Sequence, residues 1–134
     1  MHERDAHLLA LRPDVPLDVE PISAMERFQH LTLRPILTLQ NPIILELVAC
    51  YLRRYCPKFG TYDEARKHAY VRDLLKRDSR PKHMLVGLAA GQFTTDEFSF
   101  FVAHEAEVRR RLVELCIRRV QDQVDQLHLP PPSA

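Results

Sequence analysis

Glycine is nearly absent from this chain: three residues of 134, Gly60, Gly87 and Gly91, stand against ten prolines. Tight hairpins and phosphate-wrapping loops depend on glycine, which alone takes positive φ without steric cost. Three glycines exclude a hairpin-rich β fold. They also exclude a glycine-rich phosphate loop, and neither G-x-x-x-x-G-K-[ST] nor G-x-G-x-x-G occurs. Helix is the remaining way to satisfy the backbone. The length suits one core and not two, and 46% hydrophobic with 28% charged residues matches a folded globular chain rather than a disordered one.

The apolar residues recur at helical spacing between Ser23 and Leu127. Ser23 with Glu26 reads as a capping box, followed by Met25, Phe28 and Leu31. Pro35 is expected to break or kink that helix. Asn41-Pro42 reads as a second start, and Ile43, Ile44, Leu47, Val48, Tyr51, Leu52 and Tyr55 give the next segment a broad apolar face. Whether 35–56 is one kinked helix or two stays open. Thr61 is expected to cap a helix with Val71, Leu74 and Leu75 inward. Pro81 opens a short one with Met84, Leu85, Leu88 and Ala89 inward. Thr94-Thr95-Asp96-Glu97 is the clearest box, ahead of a long pattern from Phe98 to Leu127 with a break expected near His104. Gly87 and Gly91 form a GxxxG step, read as a site of close helix packing. The expected architecture is all-α: a single-domain bundle of five or six helices over 23–127. An extended N-terminal lead-in over 1–22 precedes it, with a short helical turn near Ala6–Leu11, and a disordered Pro-rich tail over 128–134 follows.

Cys50, Cys56 and Cys116 are odd in number and form no CxxC pair, which speaks against a disulfide framework or a structural zinc site. They read as reduced thiols, with Cys50 and Cys116 packed as small hydrophobes. No apolar run approaches the ~20 residues of a membrane span. The N-terminal MHERDAHLLALRP carries acids where an export signal needs lysines. The expectation is a cytoplasmic protein with no membrane contact and no cofactor.

Charge is uneven. Residues 53–82 hold ten basic and four acidic side chains, whereas 83–134 hold five basic and seven acidic. Arg53, Arg54, Lys58, Arg66, Lys67, Lys76 and Arg77 are therefore candidates for a nucleic-acid or ribosome contact, with Tyr55, Phe59 and Tyr62 interleaved to stack on unpaired bases. Glu64 with His68, and His104 with Glu107, share helix faces and are the candidate metal pairs, but the Glu-x-x-His order of di-iron bundles is missing. No serine sits in a nucleophile elbow. The last helix is apolar over a wide arc, so Val113, Ile117, Val120 and Val124 are candidates for the interface of a homo-oligomer, a dimer above all.

Leu33-Arg34-Pro35-Ile36-Leu37-Thr38-Leu39-Gln40-Asn41, then Gly91-Gln92-Phe93-Thr94-Thr95-Asp96-Glu97-Phe98 and Arg110 to Gln123, resemble a family of small helical bacterial proteins of the Bacteroidetes type. Its members often carry the automatic label "glyoxalase". The resemblance covers about residues 25–125 and implies an all-helical fold; Pro42 departs from its pattern. The label implies a glyoxalase-like or metal-dependent enzyme. Glyoxalases place their ligands on βαβββ strands or in an H-x-H-x-D-H motif, and neither pattern stands here. Lactoylglutathione lyase activity is therefore expected to be absent, since it needs a base beside a Lewis acid. The leading functional expectation is a non-enzymatic helical module acting by self-association or with a protein partner. Nucleic-acid binding through 53–82 comes second and the enzyme third.

Overall fold

A computed structural model describes residues 2–18 and 20–129. They form helices α1 (Glu3–Leu11), α2 (Ala24–Phe28), α3 (Arg34–Leu39), α4 (Asn41–Tyr55), α5 (Glu64–Arg77), α6 (Ser79–Ala90), α7 (Thr95–Ala103) and α8 (Glu105–Gln121). Single 3-10 turns lie at Phe59–Thr61 and Val124–Gln126, and no strand occurs among the described residues. The all-α expectation holds, with eight helices among the described residues against the five or six expected. The expected tail over 128–134 lies outside the described residues from Pro130 onward.

Local chemistry explains most boundaries. Ser23 accepts from the Glu26 N–H at 3.1 Å, but the Glu26 carboxylate turns to the Ile22 N–H instead of closing the box. Pro35 does not break its helix. A π-helical turn over Gln29–Leu33 joins α2 to α3, and its last bond runs from the Arg34 N–H to the Gln29 carbonyl. The wider turn absorbs the donor that Pro35 lacks. The break comes later, at Gln40, where Ala24–Leu39 and Asn41–Tyr55 meet at 67°. The 35–56 segment is thus two helices. No single helix is long and apolar enough to cross a membrane. Asp63, not Thr61, caps α5 through the Arg66 N–H at 2.8 Å. Asp78 caps α6. Thr94 and Glu97 form the full reciprocal box on α7, and His104 separates α7 from α8.

α8 is the axis of the core and packs against α4, α5, α6, α7 and the π turn. Its Val108, Leu112, Cys116, Ile117 and Val120 are at most 1% exposed. They meet Leu33, Ile36, Ile44, Val48, Leu52, Val71, Leu75 and Leu85 in one cluster. The wide apolar arc of α8 is explained by this central position. Val113, Ile117, Val120 and Val124, expected at an interface between copies, are buried within the single chain at 7%, 0%, 0% and 7% exposure. They belong to the core of the chain itself.

Three further expectations are corrected. Gly87 is exposed and a Cβ there would meet nothing within 4 Å, so the GxxxG step is not a close-packing site. Cys50 is exposed, while Cys56 and Cys116 are buried. Met84 is 52% exposed.

The lead-in differs most from expectation, because a nine-residue helix occupies Glu3–Leu11. Its only buried residue is a carboxylate, Asp5. Asp5 receives the Thr95 N–H at 3.1 Å and the Thr95 hydroxyl at 2.8 Å, at the start of α7. The Arg4 guanidinium donates to the Phe93 and Gly91 carbonyls. Just past the helix, Arg12 donates to both Glu97 oxygens and to the Gln92 carbonyl. Thr32, on the π turn, donates its hydroxyl to Glu97 at 2.9 Å. α1 is therefore clasped by polar groups. Leu9 and Leu11 stay 42% and 58% exposed.

Candidate polyanion-binding face

The basic residues expected to form one surface are dispersed. Arg53 is held by Glu46 at 2.7 Å and by the His128 carbonyl at 2.6 Å. Arg54 and Lys58 are exposed at the far end of α4. The Arg66 guanidinium lies 3.9 Å from the Tyr62 ring centre and the Lys67 ammonium 5.9 Å from that of Phe59. Phe59 is 1% exposed and packs against Tyr62 and Tyr70, so it cannot stack on a base. Arg77 lies 3.8 Å from Asp73. Only Lys76 reaches α8, where it sits 3.5 Å from Glu114.

The metal candidates are not brought together either. The His104 ring lies 4.4 Å from that of Phe100. Glu107 takes Arg110 at 2.6 Å and Arg111 at 2.8 Å, and these hydrogen bonds hold its carboxyl down at about 2. Glu64 and His68 stand 3.7 Å apart, with no third donor near them. Among the described residues, no group of three His, Cys, Asp or Glu side chains converges as a metal site would require. Cys116 is inert, its thiol pushed up to about 12 by burial.

What the fold does assemble is a cationic face across the solvent side of α8. A cavity of about 490 Å³ between α5, α6 and α8 is lined by Lys76, Lys82, His83, Arg109, Arg110, Val113 and Glu114. Across the helix, beside the π turn, Gln29, Arg110, Arg111, Glu114, Leu115 and Arg118 line a second of about 290 Å³. A third, of about 270 Å³, continues toward α3 with Arg34, Leu37, Leu115, Arg119, Asp122 and Gln123. Shared residues, Arg110 and Glu114 and then Leu115, join the three into one track. At 1.5 Å per residue the helical run from Arg109 to Gln121 is roughly 18 Å long, and the track continues past it to Gln123.

Along that track the cations outnumber the carboxylates, of which only Glu114 and Asp122 line the cavities. Burial pushes the Glu114 carboxyl up. The Arg72 hydrogen bond and the charges of Arg72 and Lys76 outweigh this, so it stays ionised below the usual range. Glu105 and Glu107, at the start of α8, pair with Arg109, Arg110 and Arg111. The Glu105–Arg109 and Glu107–Arg110 pairs are exposed and of small individual worth, whereas Arg111 is half-buried and also donates to Gln29; an incoming anion can compete for the exposed guanidinium groups. Lys82 and Arg118 have no carboxylate within 4 Å among the described residues. Burial moves Arg119 down from its ordinary value while leaving it charged.

Counting charges by segment conceals this face, because 83–134 sums to an acidic total. The signal is instead the helical stripe of Arg110, Arg111, Glu114, Leu115 and Arg118, spaced three and four residues apart. Of the acids in that segment, Glu97 is turned inward to the α1 clasp and Asp125 lies beyond the helix end. Comparison with family models, curated proteins and solved structures finds no match to this chain.

Proposed function

We propose that this chain acts by binding, and that its ligand is the phosphate backbone of a single-stranded nucleic acid laid across α8. The observation that supports this is the joined track of three shallow cavities along roughly 18 Å of α8, with Lys76 and Lys82 on one flank and Arg34 on the other. A run of like-charged guanidinium groups suits a polyanion, because arginine forks onto phosphate oxygens and binding releases condensed counterions. No Phe, Tyr or Trp lines the track, and His83 is its one ring. Recognition is therefore of the backbone, with little base preference.

Fluorescence anisotropy with a labelled RNA 12-mer tests the reading. Affinity should fall with salt at a log–log slope of ~−0.7 per phosphate contacted, so four contacts lose ~50-fold between 50 and 200 mM. Arg118→Glu with Lys82→Glu should flatten that slope while circular dichroism stays helical. Absence of binding at 50 mM salt, or a slope unchanged by the pair, would overturn the proposal. Binding of an acidic peptide but not of the oligonucleotide would reassign the face to a protein partner.

A further inference from the structure

We propose that α1 is an exchangeable arm, and that its seat along Gly91–Glu97 accepts the α1 of a second copy of this chain. This inference does not depend on the α8 face. The attachment is separable because it consists of directional polar bonds. Arg4 reaches two carbonyls, Asp5 caps the Thr95 end of α7, and Arg12 forks onto Glu97. No apolar side chain of α1 is buried. On either side of Leu9 the helix leaves open space. One cavity of about 440 Å³ runs between it and Phe28, Leu31 and Phe100, and another of about 490 Å³ lies against Thr94–Glu97.

Every one of these bonds spans 80 to 90 residues of sequence. None involves the connecting segment between Arg12 and Ser23. That connection carries Pro13, Pro16 and Pro21, whose fixed φ and restricted neighbours favour extension over a compact return. Ten residues reach roughly 33 Å when extended. A second copy therefore finds in the seat the complete set of partners that its own arm uses. Two exchanged arms close a two-fold dimer without a new surface. The chain's own arm competes at an effective concentration of about 1 mM, as short linkers give, so exchange grows in near that concentration.

Leu9 and Leu31 line the same cavity, so cysteines at the two positions report who occupies the seat. In a Cys50→Ser background, one chain carrying both Leu9→Cys and Leu31→Cys should close on itself when oxidised. Two isotopically distinct chains, one with Leu9→Cys and the other with Leu31→Cys, are then mixed, held briefly in sub-denaturing urea, returned to buffer and oxidised. The mixed disulfide should be at least tenfold more abundant at ~1 mM than at 10 µM, and light scattering of the untagged parent chain at the higher concentration should show a dimer fraction. If the double variant closes while the mixture gives no mixed disulfide at the higher concentration, exchange does not occur. If the double variant fails to close, a bismaleimide long enough to span the cavity replaces oxidation in both arms of the test; failure of that closure as well means that α1 does not hold this seat, and the proposal falls with it.

Discussion

α1 and α8 lie in the same bundle and are held in it by opposite means. α8 buries Val108, Leu112, Val113, Cys116, Ile117 and Val120, and every large side chain so buried is worth about 1.5–3 kcal/mol. α1 buries one carboxylate and hangs by guanidinium and hydroxyl bonds to sequence-distant groups. Such bonds exchange water contacts for protein contacts and return at most about 1.5–3 kcal/mol each even with a charged partner. The two helices should therefore fail differently. α8 can leave only when the whole domain unfolds, whereas α1 can open alone.

The largest effect belongs to α8. Leu112 is 1% exposed at the centre of the cluster. Leu112→Ala should lower unfolding free energy by about 2–5 kcal/mol, because a cavity remains beside helices that cannot all close in. Urea denaturation followed by circular dichroism measures it. A loss under 1 kcal/mol would mean that the α8 face is not the mechanical centre of the fold.

Glu97→Ala should act next, and mainly on α1. It leaves the Arg12 side chain, which is 8% exposed and has an Nε already without a partner, with only the Gln92 carbonyl to bond, and it strips the capping box of α7. About 1–3 kcal/mol is expected. Hydrogen exchange should show the amides of α1 losing protection while those of α8 keep theirs. Acid should reproduce this. Burial pushes the Glu97 carboxyl up, but Arg12, the Thr94 N–H and Thr32 outweigh it and hold it low. Burial likewise raises Asp5, and Thr95 outweighs it with help from His2 and Arg4. Both folded-state values are depressed. Their contribution is complete above the unfolded value of about 4 and disappears as pH falls through the lower folded value. Protection of α1 should therefore fade below about pH 4, ahead of the core. Simultaneous loss in both helices would erase the distinction between them.

How much of this was legible in the sequence follows the range of each interaction. The Thr94–Glu97 box and the stop at His104 are local signals, and both read through. Apolar spacing placed Val71, Leu75, Leu85 and Ile44 in the core for the same reason. The clasp did not read through. Its bonds run from Arg4 and Arg12 to carbonyls of residues 91–93, and nothing about an arginine announces a backbone acceptor far along the chain. Pro35 misled because the compensating π turn precedes it. The cationic face was hidden by summing charge along the chain, which mixes residues on opposite sides of one helix. Val113, Ile117, Val120 and Val124 are expected at an interface between copies and lie in the chain's own core, since periodicity does not tell a central helix from a shared one.

Gly87→Ala should widen the gap between global and local opening. Gly87 lies exposed within α6, and a Cβ there meets nothing within 4 Å. Removing its backbone freedom should raise global stability by about 0.5–1 kcal/mol. The protection of α8 should increase, because α6 packs on it. That of α1 should not, because its opening does not require α6 to melt. A rise in both by the same amount would show that α1 opens only with the whole domain. A loss of stability would mean that α6 meets a neighbour at Gly87.

The smallest effect on stability should come from Arg118→Glu, and it separates function from fold. Arg118 is exposed, forms no ion pair among the described residues and lines the cavity beside Gln29 and Leu115. Reversing its charge removes no buried contact, so unfolding free energy should change by less than about 0.5 kcal/mol. Exchange protection should stay as it was in both α1 and α8. If α8 presents its outer face to a phosphate chain, the salt slope for RNA should nonetheless lose ~0.7, the share of one phosphate on a single strand. A variant equally stable, equally protected and still binding with the original slope would leave α8 as scaffold alone, its arginines serving only to solvate the outside of a buried helix.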